Sequence, residues 1–161
     1  MGLQNPVSQA DCQRNNLQNP KNSQQMLNIF LIAIGGALGS VARYLFSESI
    51  IHLIRIQNYF KNFPTHFPLA TFSVNVVGSL LAGVIYYFVI KYFDNFDLKM
   101  KNLLMVGFLG GFTTFSAFSL DFFRLFTAGQ INLALIYALS SVTISILALF
   151  FGFYLTKFIF A

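Results

Sequence analysis

At 161 residues, 56% hydrophobic and only 9% charged, the chain has room for one small domain, and carries far less charge than the roughly 25% of a water-soluble one. Its formal net charge of +5 comes from ten Lys and Arg residues scattered singly among connecting segments, which argues against nucleic acid and assigns the cations to a membrane surface. The single cysteine, Cys12, has no partner in the chain, so neither a disulfide framework nor a cysteine zinc site is available.

Residues Met1 to Gln25 are rich in Asn and Gln, contain Pro6 and Pro20, and lack apolar periodicity. Residues 1–25 are predicted to be a disordered tail with no signal-peptide core, and Met26 offers an internal start. Residues 26–161 are predicted to form one transmembrane domain. Four uncharged stretches follow: Met26 to Phe46 (broken near its end by Arg43), Ala70 to Ile90, Leu103 to Leu120, and Ile131 to Thr156. Each is close to the roughly 20 apolar residues that span a bilayer, and none contains proline. The fold class is therefore an all-α membrane protein with four transmembrane helices and both termini on one side.

Between the first two spans, Ser47 to Pro68 alternates Ile50, Leu53, Ile54 and Phe60 with Glu48, His52, Arg55 and Lys61. That spacing predicts a short interfacial helix ended by Pro64 and Pro68. The second connection, Lys91 to Asn102, is charged, and the third is a tight turn containing Gly129. Arg14, Lys21, Lys91, Lys99, Lys101 and Lys157 fall on the side of the termini; Arg43, Arg55, Lys61 and Arg124 fall near the other. So weak a bias permits insertion both ways round, and hence a dual-topology antiparallel homodimer.

Several spans carry polar residues where lipid-facing helices have none. In the first, Gly35 with Gly39 and Gly36 with Ser40 make small-xxx-small pairs for close helix packing. Arg43, at its edge, either snorkels to the interface or guards the mouth of an anion path. Asn75, Ser79 and Gly83 share one stripe of the second span. The Asn75 amide either bonds a neighbouring helix or offers uncharged donors to an anion. In the fourth span Tyr137, Ser141 and Ser145 make a hydroxyl face, unless they bond their own backbone.

The third span is the oddest. Gly107 to Asp121 packs three glycines, two threonines and two serines into a greasy segment, with Phe112, Phe115 and Phe118 three residues apart. Gly110, Gly111, Thr113 and Thr114 predict a helix broken at its middle. Such a break is tolerated only inside protein or beside a cavity, where freed carbonyls can hold a cation. Phe115 and Phe118, flanked by Thr114, Ser116 and other small residues, can turn the positive edges of their rings toward an anion. No span carries a mid-membrane Asp, Glu or His, so proton coupling and hydrolytic chemistry both lack their residues.

In three pieces the chain resembles the Fluc (CrcB) family of fluoride channels. These are Gly35-Gly-Ala-Leu-Gly-Ser-Val-Ala-Arg-Tyr44, Thr71-Phe-Ser-Val-Asn-Val-Val-Gly78 and Gly107-Phe-Leu-Gly-Gly-Phe-Thr-Thr-Phe-Ser-Ala-Phe-Ser119. The resemblance implies passive export of F⁻ against fluoride toxicity, through two pores of an antiparallel dimer in the cell membrane. It implies a structural Na⁺ at the dimer centre, held by main-chain carbonyls of Gly110 and Thr113. It also implies an ion path along Asn75, Phe115, Phe118, Ser116, Thr114, Tyr137, Ser141 and Ser145, with Arg43 in the vestibule. Three positions depart from the family pattern: Ala117 stands where Thr is frequent, Asp121 where Glu is usual, and Ala70 where a Gly usually precedes the Thr. The alternative is a small dual-topology multidrug or cation exporter, which would need the mid-span carboxylate that is absent.

Overall fold

The computed structural model describes residues 6–57, 67–91 and 98–160. Helix α1 spans Pro6–Gln57 and α2 Leu69–Lys91. The third span begins as α3, Leu98–Lys101, widens into a π-helical stretch over Asn102–Leu109, and closes its first half as α4, Gly110–Phe112. After an interruption it resumes as α5, Phe115–Thr127, and α6 covers Ile131–Phe160. Four stretches are long and apolar enough to cross a bilayer: Asn22–Ile54, Leu69–Lys91, Leu98–Thr127 and Ile131–Phe160. The chain is a multi-pass membrane protein.

Two expectations change. Residues from Pro6 onward are helical, including the part of 1–25 expected to be disordered. The 52 residues of α1 make a rod of about 78 Å, far longer than the ~30 Å hydrocarbon core. The stretch from Ser47 to Gln57 also belongs to α1 and is not a separate interfacial helix, because no residue there breaks the helical hydrogen bonding of the span before it. Residues 58–66, with Lys61 and Pro64, and residues 92–97 of the second connection lie outside the described residues.

With lipid as solvent, apolar side chains gain little from facing each other, and helices associate where backbones can come close. Two glycine-built interfaces do this. Along α1, a methyl group on Gly35 would overlap the Leu103 carbonyl, and one on Gly39 would overlap the Phe108 carbonyl. From the opposite side, a methyl on Gly111 would overlap the Gly36 carbonyl, and one on Gly107 would sit 2.9 Å from the Gly35 Cα. Gly35 and Gly36 thus have their matches in Gly107 and Gly111, while Gly39 receives the backbone of Phe108 and Phe112. Gly83 and Gly152 play the same part between α2 and α6, against the Leu149 and Leu80 carbonyls.

The result is two pairs of helices, α1 with the first half of the third span and α2 with α6. The second half, α5, leans on α6 instead of α1. Leu125, Ala134 and Tyr137 form a buried cluster there, enclosed by Phe67, Phe72, Phe118, Phe122 and Leu133. The third connection is as tight as expected: Gly129 takes a positive φ of 77°, and Gln130 N–H reaches back to the Leu125 carbonyl. So the third span changes partner at its interruption, and that is where the polar residues gather.

Candidate functional site

The interruption lies at two threonines. Thr113 (φ −79°, ψ 154°) and Thr114 (φ −149°, ψ 114°) are extended, whereas Gly110 keeps helical angles of −62° and −35°. The break therefore falls on the last two of the four residues expected to make it, and Gly110 stays helical. Its cause is tertiary. The Asn75 side chain on α2 takes both backbone groups of Thr114: Oδ1 accepts from the Thr114 N–H at 2.9 Å, and Nδ2 donates to the Thr114 carbonyl at 3.2 Å. The amide thus replaces the helical acceptor that the Thr114 N–H has lost, and adds a second donor to a carbonyl that already starts α5 as its N-cap.

The threonine side chains complete the two ends. Thr113 Oγ1 donates to the Leu109 carbonyl at 2.8 Å, capping the first half-helix, and its methyl fills the space left by Gly78. Thr114 Oγ1 accepts from the Ala117 N–H at 3.2 Å, the N-cap bond that starts α5, and lies 3.0 Å from Ser116 Oγ. In an unbroken helix the Thr114 N–H would serve the Gly110 carbonyl and the Ala117 N–H the Thr113 carbonyl. Here both donors go elsewhere, so those two carbonyls are released from their helical partners. Gly110 is exposed, and a methyl built on it would meet nothing within 4 Å.

Beside the break lies a cleft of about 340 Å³ between α2, the third span and α6. Asn75, Ser79, Thr113, Thr114, Phe115, Phe118, Ser141 and Ser145 line it, together with Gly78, Ala82, Leu109, Val142 and Leu149. Phe115 is 77% exposed and Phe118 half-buried, their ring centroids 5.3 Å apart. Phe118 lies 5.3 Å from the ring of Tyr137, which in turn meets Phe67 edge-on at 5.5 Å. The expected stripe of Asn75, Ser79 and Gly83 divides: the first two face the cleft, while Gly83 packs on α6.

The hydroxyl face of α6 is partly rearranged. Ser141 and Ser145 line the cleft, but Tyr137 is fully buried under Phe118 and Phe67 and does not. Burial of an aromatic ring against two others outweighs exposure of one hydroxyl. Yet Tyr137 Oη, Ser141 Oγ and Ser145 Oγ are all buried, and among the described residues none makes a well-formed hydrogen bond, although the Tyr137 and Ser141 hydroxyls lie near one another. Each such group ordinarily costs about 1–3 kcal/mol. Three in a row, four residues apart, form a polar strip to which no other part of the described chain responds.

A second cleft, about 280 Å³, opens on another side of Thr114. Arg43 lines it with Ser40, Tyr44, Ser47, Thr71, Val74 and Ala117. Ser40, expected in a small-residue contact, also faces this cleft. Thr114 borders both clefts. Sequence reasoning passed over Thr71, which donates to Asp121 Oδ2 at 2.6 Å. Its signal was available: it is a hydroxyl four residues before Asn75, hence on the same face of α2.

Residues 30–153 match the family model described as CrcB-like protein, Camphor Resistance (CrcB). The chain is 42% identical over 127 residues to the fluoride-specific ion channel FluC of Agrobacterium fabrum, covering 79% of this chain and 94% of that one. The chain belongs to the CrcB/FluC family. It is also 42% identical over 130 residues to FluC of Pseudomonas fluorescens strain Pf0-1, covering 80% and 96% of the two chains. Against FluC 2 of Nitrobacter hamburgensis the figure is 37% over 131 residues. These CrcB/FluC relatives are channels, not enzymes. The matched span covers both clefts, the break and the glycine-built interfaces.

Proposed function

We propose that this chain is a fluoride-specific ion channel that lets cytoplasmic F⁻ leave the cell passively and so relieves fluoride toxicity. The observation that carries the reading beyond kinship is the strip of unpartnered hydroxyls at Tyr137, Ser141 and Ser145, beside the Phe115 and Phe118 pair. Fluoride is small and holds water tightly. It crosses a membrane only if weak donors replace that water in steps, none of them strong enough to trap it. Hydroxyls with no partner of their own can rotate toward an anion without breaking an existing bond. Aromatic edges add a weak positive field from the walls.

The residues divide the work by position. Arg43, in the second cleft, raises the local anion concentration while remaining half-exposed, so its charge is screened and does not hold the ion. Thr114, between the clefts, and Ser116 beside it offer hydroxyls at the N-terminus of α5, whose dipole favours negative charge. Asn75 holds the break open with one N–H bond and leaves its other N–H for the cleft. Ser141 and Ser145 continue the donor series along α6.

The finer assembly belongs to the same proposal: an antiparallel homodimer with dual topology, two pores and one central Na⁺. Gly110 and Thr113 would hold the ion, each through a main-chain carbonyl freed by the break. Their exposed, uncharged oxygens fit a hard monovalent cation, and a second copy of the chain would double the set. When bound, Na⁺ supplies a fixed positive charge near the anion path. The open surface around Gly110 leaves space for that second copy. Proteoliposomes loaded with fluoride test the reading: an electrode should register efflux that protein-free vesicles do not show, and equal efflux from both would refute it.

A further inference from the structure

Thr71 and Asp121 carry an interaction that the conduction reading does not use. The Asp121 carboxylate, 15% exposed in its side chain, sits within the third candidate span. A solvated ion pair with Arg124 would be the plain explanation, but that contact is long at 3.4 Å, and the Arg124 side chain is 68% exposed. The short contact is to another helix: Thr71 Oγ1 on α2 donates to Asp121 Oδ2 at 2.6 Å. Hydrogen bonds to an ionised acceptor are roughly twice as strong as neutral ones.

Position gives this bond its consequence. Thr71, Asn75 and Gly78 fall on one face of α2, and each meets the break or the helix that follows it. Thr71 bonds Asp121, Asn75 bonds both backbone groups of Thr114, and Gly78 receives the Thr113 methyl. Helix α5 is thereby tied to α2 at two points seven residues apart, at its N-cap and two turns further on. The packing of α5 on α6 holds its far end, but a single tie at Thr114 would leave its bearing on α2 set at one point only. The second tie fixes its direction, and with it the approach of Phe115 and Phe118 to Ser141 and Ser145.

We infer that Thr71 and Asp121 form a latch that seats α5 against α2, and are positioning residues for the conduction cleft. The inference rests on the channel reading only for its effect on flux; the seating itself is read independently. Asp, one carbon shorter than Glu, suits a latch in which a neighbouring helix supplies the donor.

The test pairs fluoride flux with hydrogen–deuterium exchange of the full chain in lipid nanodiscs. Loss of one bond to a charged acceptor corresponds to about a tenfold change or more in the latched population. Thr71→Val and Asp121→Ala should each lower the exchange protection of amides 114–118 by about tenfold. Flux should drop alongside, and the double variant should be no worse than the worse single one. Thr71→Ser, which keeps the donor, should restore both; it also serves as the informative variant if Thr71→Val does not fold. Wild-type protection in Thr71→Val would overturn the latch. So would lost flux with unchanged protection, since that makes the hydroxyl a contact of the ion itself. Absence of flux in the wild-type protein would count against the channel reading alone, because the exchange measurement does not depend on it.

Discussion

The Asn75 side chain and the Thr114 backbone satisfy each other completely: one accepts at 2.9 Å where the other donates, and donates at 3.2 Å where the other accepts. This pairing, inside a membrane, is what makes an interrupted helix affordable at Thr113 and Thr114. Asn75→Ala should strand the Thr114 N–H at about 1–3 kcal/mol, while the carbonyl keeps its place as the first acceptor of α5. Thermal unfolding in detergent should show the loss, and fluoride flux should fall with it. Asn75→Asp keeps the acceptor and loses the donor, so its flux should also fall. Wild-type stability in Asn75→Ala would mean that the break does not depend on the amide.

Ser141 and Ser145 give the opposite pattern. Their hydroxyls make no well-formed hydrogen bond among the described residues, so Ser141→Ala with Ser145→Ala should leave stability within about 0.5 kcal/mol or raise it. Flux should nevertheless fall by about tenfold, the rate equivalent of losing one bond to an ion. A double variant with unchanged flux would remove the strip from the ion path.

The two phenylalanines should separate on stability and agree on function. Phe115 is 77% exposed, so Phe115→Ile should unfold at the wild-type temperature. Phe118→Ile gives up its contacts with Phe115 and Tyr137, worth about 0.5–1.5 kcal/mol. Both should cut fluoride flux while the protein elutes as a dimer on size exclusion. Unchanged flux in either would rule out a role for that ring in the path.

Glycines on the two faces of the third span should respond differently. Gly39→Val overfills the contact with Phe108 and should cost roughly 1–3 kcal/mol. Gly110→Ala meets nothing within its own chain, so the protomer should fold normally. Its effect should appear as weaker dimerisation and a weaker dependence of flux on Na⁺. In the unaltered protein, replacing Na⁺ by a larger cation during purification should lower flux; indifference to the swap would argue against the central site.

How far the sequence carried this picture depends on the residue. The four spans were legible, because a run of apolar residues without proline has few alternatives in lipid. Gly35 and Gly36 announced a close approach, but their matches, Gly107 and Gly111, depend on how two helices meet and no local pattern states that. The break was legible as a composition, and it falls on the threonines of the expected cluster and not on its glycines. Gly110 and Gly111 looked like its cause, yet Gly111 is there to let α1 approach, and the unwinding follows from Asn75 on another helix. Tyr137 was assigned to the same face as Ser141 and Ser145 by its spacing. Its ring is fully buried instead, a consequence of Phe67 and Phe118 that helical periodicity cannot express. The Thr71 and Asp121 contact went unseen because its two ends are 50 residues apart.

The central claim is selective conduction of fluoride, and the most direct test compares two halides in one preparation. Purified protein is reconstituted into liposomes loaded with equal concentrations of F⁻ and Cl⁻, and efflux of each is read with its own electrode after potassium ionophore is added. Rapid loss of F⁻ with Cl⁻ retained is the expected result. Equal efflux of the two ions, or retention of both, would contradict it.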